Sequence, residues 1–320
     1  MKAIVREEYG NWQVFHPSEV DIPLPKAGEV QVKVHAVSLN ASDVENMNGS
    51  PLYIRAWGLF KPKYKILGSD IAGTVTAVGE GAGRFKTGDA VYGDALYFWG
   101  GFAEYACIPE KLLKRKPEHL SFEEAAALPQ AGAVAEQGIR FKRRLQPGDK
   151  VLINGAGGGA GSFAVQLAKL AGAEVSGVDS AEKLAFIRLL GADHTIDYRE
   201  YDFTQNRHSY DFILDLVASH SIFHYQRALT RRGVYCMVGG KMRHLFQTLV
   251  VGSLLSLFGS KQLAVIGVKP NEKLEYLEEL IRDGKLKPAI DRVYPLEQVP
   301  EAMQYLSEGK AKGKVVIKVK

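Results

Sequence analysis

The hydrophobic rhythm of the chain changes twice. Residues 29–39, EVQVKVHAVSL, alternate apolar and polar positions, and DIAGTVTAVG (70–79) and FAEYACIP (102–109) are short β-rich runs bounded by glycine. A period of two with such punctuation predicts strands. At LSFEEAAALP the period lengthens, and Ser121 with Glu124 has the spacing of a capping box, which marks a helix start. From there strand and helix patterns follow one another: KVLING, SFAVQLAKLAG, EVSGV, AEKLAFIRLLG, HTID, YDFILDLV, SIFHYQRALT and GVYCMVG. Such alternation predicts a parallel sheet covered on both faces, with Gly172 and Gly191 stopping two of its helices. After QLAVIGVKP the pattern changes again. An amphipathic helix NEKLEYLEELIRDG carries Leu274, Leu277 and Ile281 on one face; a second helix, VPEAMQYLSEG, and a closing strand, GKVVIKV, follow it. The closing strand is expected to pair with the first β region rather than with the parallel sheet. The α/β domain is therefore inserted into a domain built from both chain ends.

Directly behind the apolar strand that ends at Asn154, residues 155–161 hold five glycines in seven positions. Ala156, Gly158 and Gly161 take the places of G-x-G-x-x-G, and a helix opens near Gly161. In that spacing the first position makes the tight turn, the second lets a pyrophosphate approach the backbone, and the third packs helix on strand. Helix-terminal N–H groups then face the phosphates. Strand, glycines, helix and second strand together predict a Rossmann-type doubly wound sheet. No Gly-Lys-Ser/Thr follows the loop, which excludes a phosphate P-loop. Asp179 ends the second strand, where a carboxylate can take both ribose hydroxyls of NAD; its alternative role is the N-cap of the helix over 181–190.

Composition narrows the class. With 320 residues, 46% apolar and 24% charged, the chain suits two ordinary globular domains. The net charge of +5 is scattered, with KRR at 142–144 as the densest cluster, a solvated surface or an aid in attracting an anionic cofactor. No nucleic-acid module is visible. Two cysteines, Cys107 and Cys236, cannot form a disulfide framework or a four-thiolate zinc site, so a reducing, cytoplasmic compartment is expected. The most apolar window, LFQTLVVGSLLSLFG (245–259), is shorter than the roughly 20 residues that a spanning helix requires. It reads as a buried or interfacial helix, and no membrane-spanning segment is expected.

The blocks AVSLNASDVENMNG, ILGSDIAGTVTAVG, FKTGDAVYG, GGFAEYACIP, VLINGAGGGAG, LGADHTIDY and KPAIDRVYPLEQVPEAMQYLSEGKAKGKVVI occur in this order over nearly the whole chain. In them the chain resembles the medium-chain dehydrogenase/reductase superfamily, and within it the zinc-independent quinone oxidoreductase and alkenal reductase branch. The resemblance implies a GroES-like β-rich domain of residues 1–121 and 268–320, for substrate and catalysis, around a Rossmann dinucleotide-binding domain of residues 122–267. Zinc-dependent relatives place Cys, His and Cys where this chain has Asn40, Ser69 and Gln130, so no zinc and no metal ligand is expected. A site without a Lewis acid is poorly equipped for alcohol oxidation. It suits hydride transfer to an already electron-poor carbon, as in quinones and α,β-unsaturated carbonyls.

The resemblance also names residues. Asn40 and Asp43 match the family's N-x-x-D, which in relatives lies close to the nicotinamide; local turn capping is the alternative. Tyr53 and Tyr64 are candidate hydroxyl donors to a substrate carbonyl, with Tyr53 preferred, and packing is the alternative for each. Glu45 stands where the family often has Tyr. The cofactor set is Ala156, Gly157, Gly158, Gly159, Ala160, Gly161, Asp179, Ser180, Lys183, Tyr198 and Gly239. Asp179 favours NADH, whereas Ser180-Ala181-Glu182-Lys183, Tyr198 and Arg199 match relatives that use NADPH. NADPH is the reading taken, with NADH open. A homodimer with a small quinone or enone substrate is expected. The competing readings are a reductase of other carbonyl compounds and a nucleotide-binding protein with a structural or redox-sensing role.

Overall fold

The structure, a computed structural model, describes residues 1–319, with the side chain of Trp57 left aside. The chain divides into two compact units: Met1–Gln130 with Pro270–Glu278 and Ile290–Lys320, and Ala131–Lys269 with Glu279–Ala289.

The first unit is built on a seven-stranded sheet ordered Ile290–Pro295, Lys314–Lys318, Glu29–Ser38, Asp70–Val78, Ala90–Asp94 and Lys114–Arg115, with Tyr105–Pro109 added beside Glu29–Ser38. Strand Glu29–Ser38 is shared along one edge. Glu29 to Lys33 pair with Tyr105–Pro109, and Ala36 to Ser38 pair antiparallel with the closing strand Lys314–Lys318. The closing strand thus joins the first β region, as its sequence position suggested. Val30, Val32, Val34, Val37, Ile71, Val75, Val315 and Ile317 form the core beneath this sheet. The helix Phe122–Ala127 packs on strands Glu29–Ser38, Asp70–Val78 and Lys314–Lys318. That packing is why residues 122–130 fall in the first unit, although the change of sequence rhythm lies before them.

The second unit is a six-stranded parallel sheet ordered His194–Asp197, Glu174–Asp179, Lys150–Asn154, Tyr210–Asp215, Leu229–Met237 and Gln262–Val265. The order reverses between Lys150–Asn154 and Tyr210–Asp215, so this sheet has its switch point at the strand followed by the glycine loop. Gly172 and Gly191 do end helices, at φ +80° and +105°. Helix 245–259 departs from the buried reading. It is part of a longer helical run whose Leu249, Leu254, Leu257 and Phe258 are exposed.

The capping box at Ser121 is complete: the Ser121 hydroxyl accepts the Glu124 N–H at 3.1 Å, and the Glu124 carboxylate accepts the Ser121 N–H at 3.0 Å. Ser121→Ala removes one half of it and should cost about 1 kcal/mol, read as a small drop in thermal midpoint. An unchanged midpoint would show that the helix is held by its packing alone.

Candidate active site

Strand register brings carboxylates together in the first unit. Ser38 lies opposite Asp70, and Asp70 opposite Asp94, in one row across three antiparallel strands. Two like charges directly opposite one another repel, and both side chains are buried. The cluster is completed from three directions. Lys314, the first residue of the closing strand and 1% exposed, donates from Nζ to the Leu39 carbonyl at 3.0 Å and to Asn40 Oδ1 at 2.5 Å. The same Nζ lies 3.7 Å from Asp70 Oδ2. Asn40 Nδ2 donates to Asp70 Oδ2 at 2.9 Å, so one amide bridges the ammonium and the carboxylate. From the segment after helix Phe122–Ala127, the Gln130 N–H donates to both Asp70 oxygens at 3.2 Å, and Gln130 Nε2 donates to Asp94 Oδ2 at 3.3 Å.

Asp43 is the third residue of the helix Ala41–Asn48, in its first turn. Its carboxylate accepts the Asn40 N–H at 2.8 Å and the Gly68 N–H at 3.1 Å. The Asn40 and Asp43 pair therefore begins a helix, and the Asn40 side chain is turned into the ionic cluster. Burial raises all three carboxyls: Asp43 to about 7, against the two N–H groups that favour its charge, and Asp70 and Asp94 in the same direction. Repulsion from Asp94 adds to the burial of Asp70. Burial lowers Lys314, against the pull of the carboxylates. Burial thus pushes the three carboxyls toward their protonated forms and the ammonium toward its neutral one, and what opposes it is the pairing of Lys314 with the carboxylates, because unpaired charge is costly in a low-dielectric interior.

The other candidates of this unit lie apart from that cluster. Tyr53, on the turn Leu52–Trp57, is exposed. Tyr64 is partly buried against the core, and its carbonyl accepts from the Arg6 guanidinium. Arg6 also donates to the carbonyls of Asn46 and Met47 at the end of helix Ala41–Asn48, and its burial lowers it to about 10. Neither Arg6 nor Lys314, Asp70 and Asp94 was singled out from sequence. The available signal was a lysine opening an apolar strand and an aspartate directly after Ser69.

In the second unit the glycine loop turns between strand Lys150–Asn154 and helix Gly159–Leu170, so the helix opens two residues before the expected Gly161. Its glycines divide into two kinds. A Cβ on Gly161 would lie 2.1 Å from the Gly155 carbonyl oxygen, so the fold itself requires glycine there. A Cβ on Gly158 would meet nothing closer than that same oxygen at 3.5 Å, an ordinary contact. Gly158 faces open space. The loop is tied to the second strand: the N–H groups of Gly155 and Ala156 donate to the Val178 carbonyl, and the Gly157 N–H donates to Asp179 Oδ2 at 2.9 Å. Asp179 Oδ1 accepts the Ser180 N–H at 2.9 Å and lies 3.5 Å from Lys183 Nζ. Ser180, not Asp179, holds the N-cap position of helix Ala181–Leu189. Tyr198 follows the strand paired with Asp179, its N–H donates to the Asp179 carbonyl, and its ring is exposed beneath the Arg199 guanidinium. Gly239 follows strand Leu229–Met237, with open space at its Cβ. Ala156, Gly158, Asp179, Lys183, Tyr198 and Gly239 thus gather along the carboxyl ends of the strands. Beside them, at the switch point, the buried Asp215 accepts from Asn154 Nδ2 and the Tyr235 hydroxyl at 2.8 Å each. This bridge was not read from sequence.

Among known families, residues 26–118 match the alcohol dehydrogenase GroES-like domain and residues 190–317 match the zinc-binding dehydrogenases. The chain is 32% identical to a chloroplast envelope quinone oxidoreductase homolog of Arabidopsis thaliana, over 99% of this chain and 98% of that protein. It is 30% identical to an NADPH-dependent alkenal/one oxidoreductase of the same plant, over 99% of this chain and 79% of that protein. Among solved structures it resembles the quinone oxidoreductase of Coxiella burnetii, with a TM-score of 0.89, 30% identity and coverage of 100% and 99%. The zinc expected of a zinc-binding dehydrogenase does not fit this donor set. The three positions carry two amides and a hydroxyl, Asn40 is already bonded on both sides, and a lysine ammonium lies within 3.7 Å of Asp70.

Two outcomes follow for the cluster. Lys314→Met strands a buried carboxylate and should cost about 3–5 kcal/mol in denaturant unfolding, and adding Asp70→Asn should recover part of that loss. If the double variant is no more stable than the single one, the pair is not the cluster's organising charge. The Asp43 carboxyl titrates near 3.8 unfolded and about 7 folded. The folded chain therefore holds that proton longer. Stability should fall as pH rises between about 4 and 7, with a shallower slope in Asp43→Asn; equal slopes would refute the assignment.

Proposed function

Because the chain belongs to the medium-chain dehydrogenase/reductase superfamily, in its quinone oxidoreductase and alkenal reductase branch, we propose that it is an NADPH-dependent, zinc-independent reductase of quinones or α,β-unsaturated carbonyls. The observation that carries this reading is the amide, hydroxyl and ammonium set around Asn40, Ser69, Gln130 and Lys314, in place of metal ligands. Bound nicotinamide supplies hydride, and an electron-poor acceptor takes it without a Lewis acid because its own carbonyl accommodates the charge. Asn40 and Asp43 are proposed as the fixed wall of the substrate site, and Tyr53 as the hydroxyl that bonds the acceptor's carbonyl oxygen.

The nucleotide would lie on the glycine loop, where Gly158 leaves room for pyrophosphate and Gly161 holds helix to strand. Ala156, Gly157, Gly159, Ala160, Ser180 and Gly239 line the same strand ends. The preference for NADPH rests on Lys183, Tyr198 and the neighbouring Arg199. The Asp179 carboxylate is already engaged by two backbone N–H groups and by Lys183, so its charge is largely satisfied within the protein. A relative named as NADPH-dependent agrees with this choice. Cytoplasmic residence suits the free thiols of Cys107 and Cys236.

Oxidation of NADPH, followed at its absorbance band over a plate of quinones, enones and simple aldehydes, tests the activity. Turnover confined to saturated aldehydes would replace the reading by a carbonyl reductase, and no turnover at all would leave nucleotide binding alone. Gly158→Val should keep the wild-type thermal midpoint yet lose nucleotide binding; unchanged affinity would remove the loop from the site. Lys183→Ala should weaken NADPH by about 1.5–3 kcal/mol in fluorescence titration with little effect on NADH. Asp179→Asn, which keeps an acceptor for the Gly157 N–H, should leave NADPH affinity intact or improved. A wild type that prefers NADH, and loses that preference in Asp179→Asn, defeats the choice of NADPH.

A further inference from the structure

Between Asp215 and Glu272 the chain has no acidic residue: residues 216–271 carry seven Lys and Arg and no Asp or Glu. That segment's charge exceeds the +5 of the whole chain, so the remainder is net acidic. The segment also forms one edge of the second unit, comprising helix Ile222–Ala228, strand Leu229–Met237, the helical run 242–258 and the edge strand Gln262–Val265.

The helical run is continuous through a π-type turn, Thr248–Gly252, and has two unlike sides. His244, Thr248 and Gly252 are buried, and Leu245, Val251 and Leu255 pack on the core of the unit. The other side holds Met242, Phe246, Leu249, Leu254, Leu257 and Phe258 in solvent, with Leu257 74% and Phe258 85% exposed. Their spacing, near multiples of three and four, places them along one stripe. Cations bracket the stripe. Lys241 occupies the position before its first residue, Arg243 is in its first turn, and both are exposed. At the other end Lys261 follows three residues after Phe258, and because Gln262 pairs with Val234, it runs alongside the exposed Arg231 and Arg232.

We propose that this face docks on an anionic lipid surface, with the apolar stripe entering the headgroup region and the flanking cations meeting lipid phosphates. An exposed apolar stripe of this size marks an interaction surface. The charge pattern selects the partner. A second copy across a two-fold axis would set Lys241, Arg243, Arg231 and Arg232 against the same acid-free segment, which is repulsive. An anionic bilayer offers both an apolar interior and countercharge. The inference rests on the second unit alone and is independent of which substrate is reduced.

Flotation of the full chain with vesicles of phosphatidylcholine, and of phosphatidylcholine mixed with phosphatidylglycerol, tests it. Capture by the mixed vesicles should exceed that by phosphatidylcholine by more than about tenfold and weaken as salt is raised. Lys241→Gln with Arg243→Gln should lower the partition constant by about 30-fold, the change that roughly 1 kcal/mol per cation gives for two. Leu257→Glu with Phe258→Glu should abolish capture at an unchanged thermal midpoint; if that pair unfolds, Leu249→Gln with Leu254→Gln takes its place. Equal capture by the two vesicle types, or variants captured like the wild type, overturns the proposal. So does a wild type captured by neither vesicle whose self-association, followed by sedimentation velocity, disappears in the glutamate variant; that result assigns the face to a second copy.

Discussion

One buried ammonium, that of Lys314, organises the first unit. The register of three antiparallel strands sets Asp70 opposite Asp94, and the helix that follows brings in Asp43. Without a cation these groups would be an unneutralised acidic cluster in a dry interior. The lysine reaches them only because the last strand of the chain returns to the first sheet and pairs beside Ser38. Its Nζ closes the loop from Leu39 to Asn40 and fixes the Asn40 amide between ammonium and carboxylate. Chain closure, sheet register and the orientation of a candidate site residue thus meet in a single interaction.

The second unit depends on a different constraint, the close approach of backbone to backbone. Gly161 has no space for a side chain, and a Cβ on Gly177 would lie 2.5 Å from Ile187 Cγ2, so helices press against the strands on either side of the loop. Gly158 is not needed for that packing. A glycine that the fold does not require, at the middle position of a glycine fingerprint, is explained by something that approaches from outside. The same loop donates its Gly157 N–H to Asp179, so loop shape and second-strand carboxylate are coupled. A nucleotide that rearranges Asp179 must also act on the loop.

Much of this was legible in the sequence, because each part carried a local signature. Strand and helix periods, the capping box at Ser121 and the stop glycines Gly172 and Gly191 depend on neighbours a few positions away. The loop and Asp179 are likewise fixed by spacing. What was not legible required knowledge of register. Asp70 and Asp94 are 24 residues apart in sequence and meet only through strand pairing, and Lys314 reaches Asn40 across 274 residues. Side-chain competition was equally hidden: Asn40 and Asp43 were expected to serve either the site or a turn, and they in fact begin a helix while Asn40 also enters the ionic cluster. The apolar run at 245–259 shows the limit of period reading, which locates a stripe but not the side on which it is covered.

The cluster also constrains the chemistry. Amides, a hydroxyl and a neutralised ammonium hold geometry and charge, but they cannot polarise an alcohol as an open metal site does. Any proton taken up by Asp43 or Asp70 is sealed: both carboxyls are 0% exposed, and the Asp43 oxygens face backbone N–H groups. Neither can deliver a proton to an acceptor without breaking the bonds that hold the helix start in place. Of the three residues proposed for the reaction, only Tyr53 is exposed and carries a hydroxyl, and partial burial together with the nearby Glu45 raises that hydroxyl above its ordinary range. A weaker acid is a better match for steadying a developing enolate by hydrogen bonding than for protonating it outright. For the proposed reduction, this leaves charge to be accommodated by the acceptor's own conjugation rather than by an acid of the buried cluster.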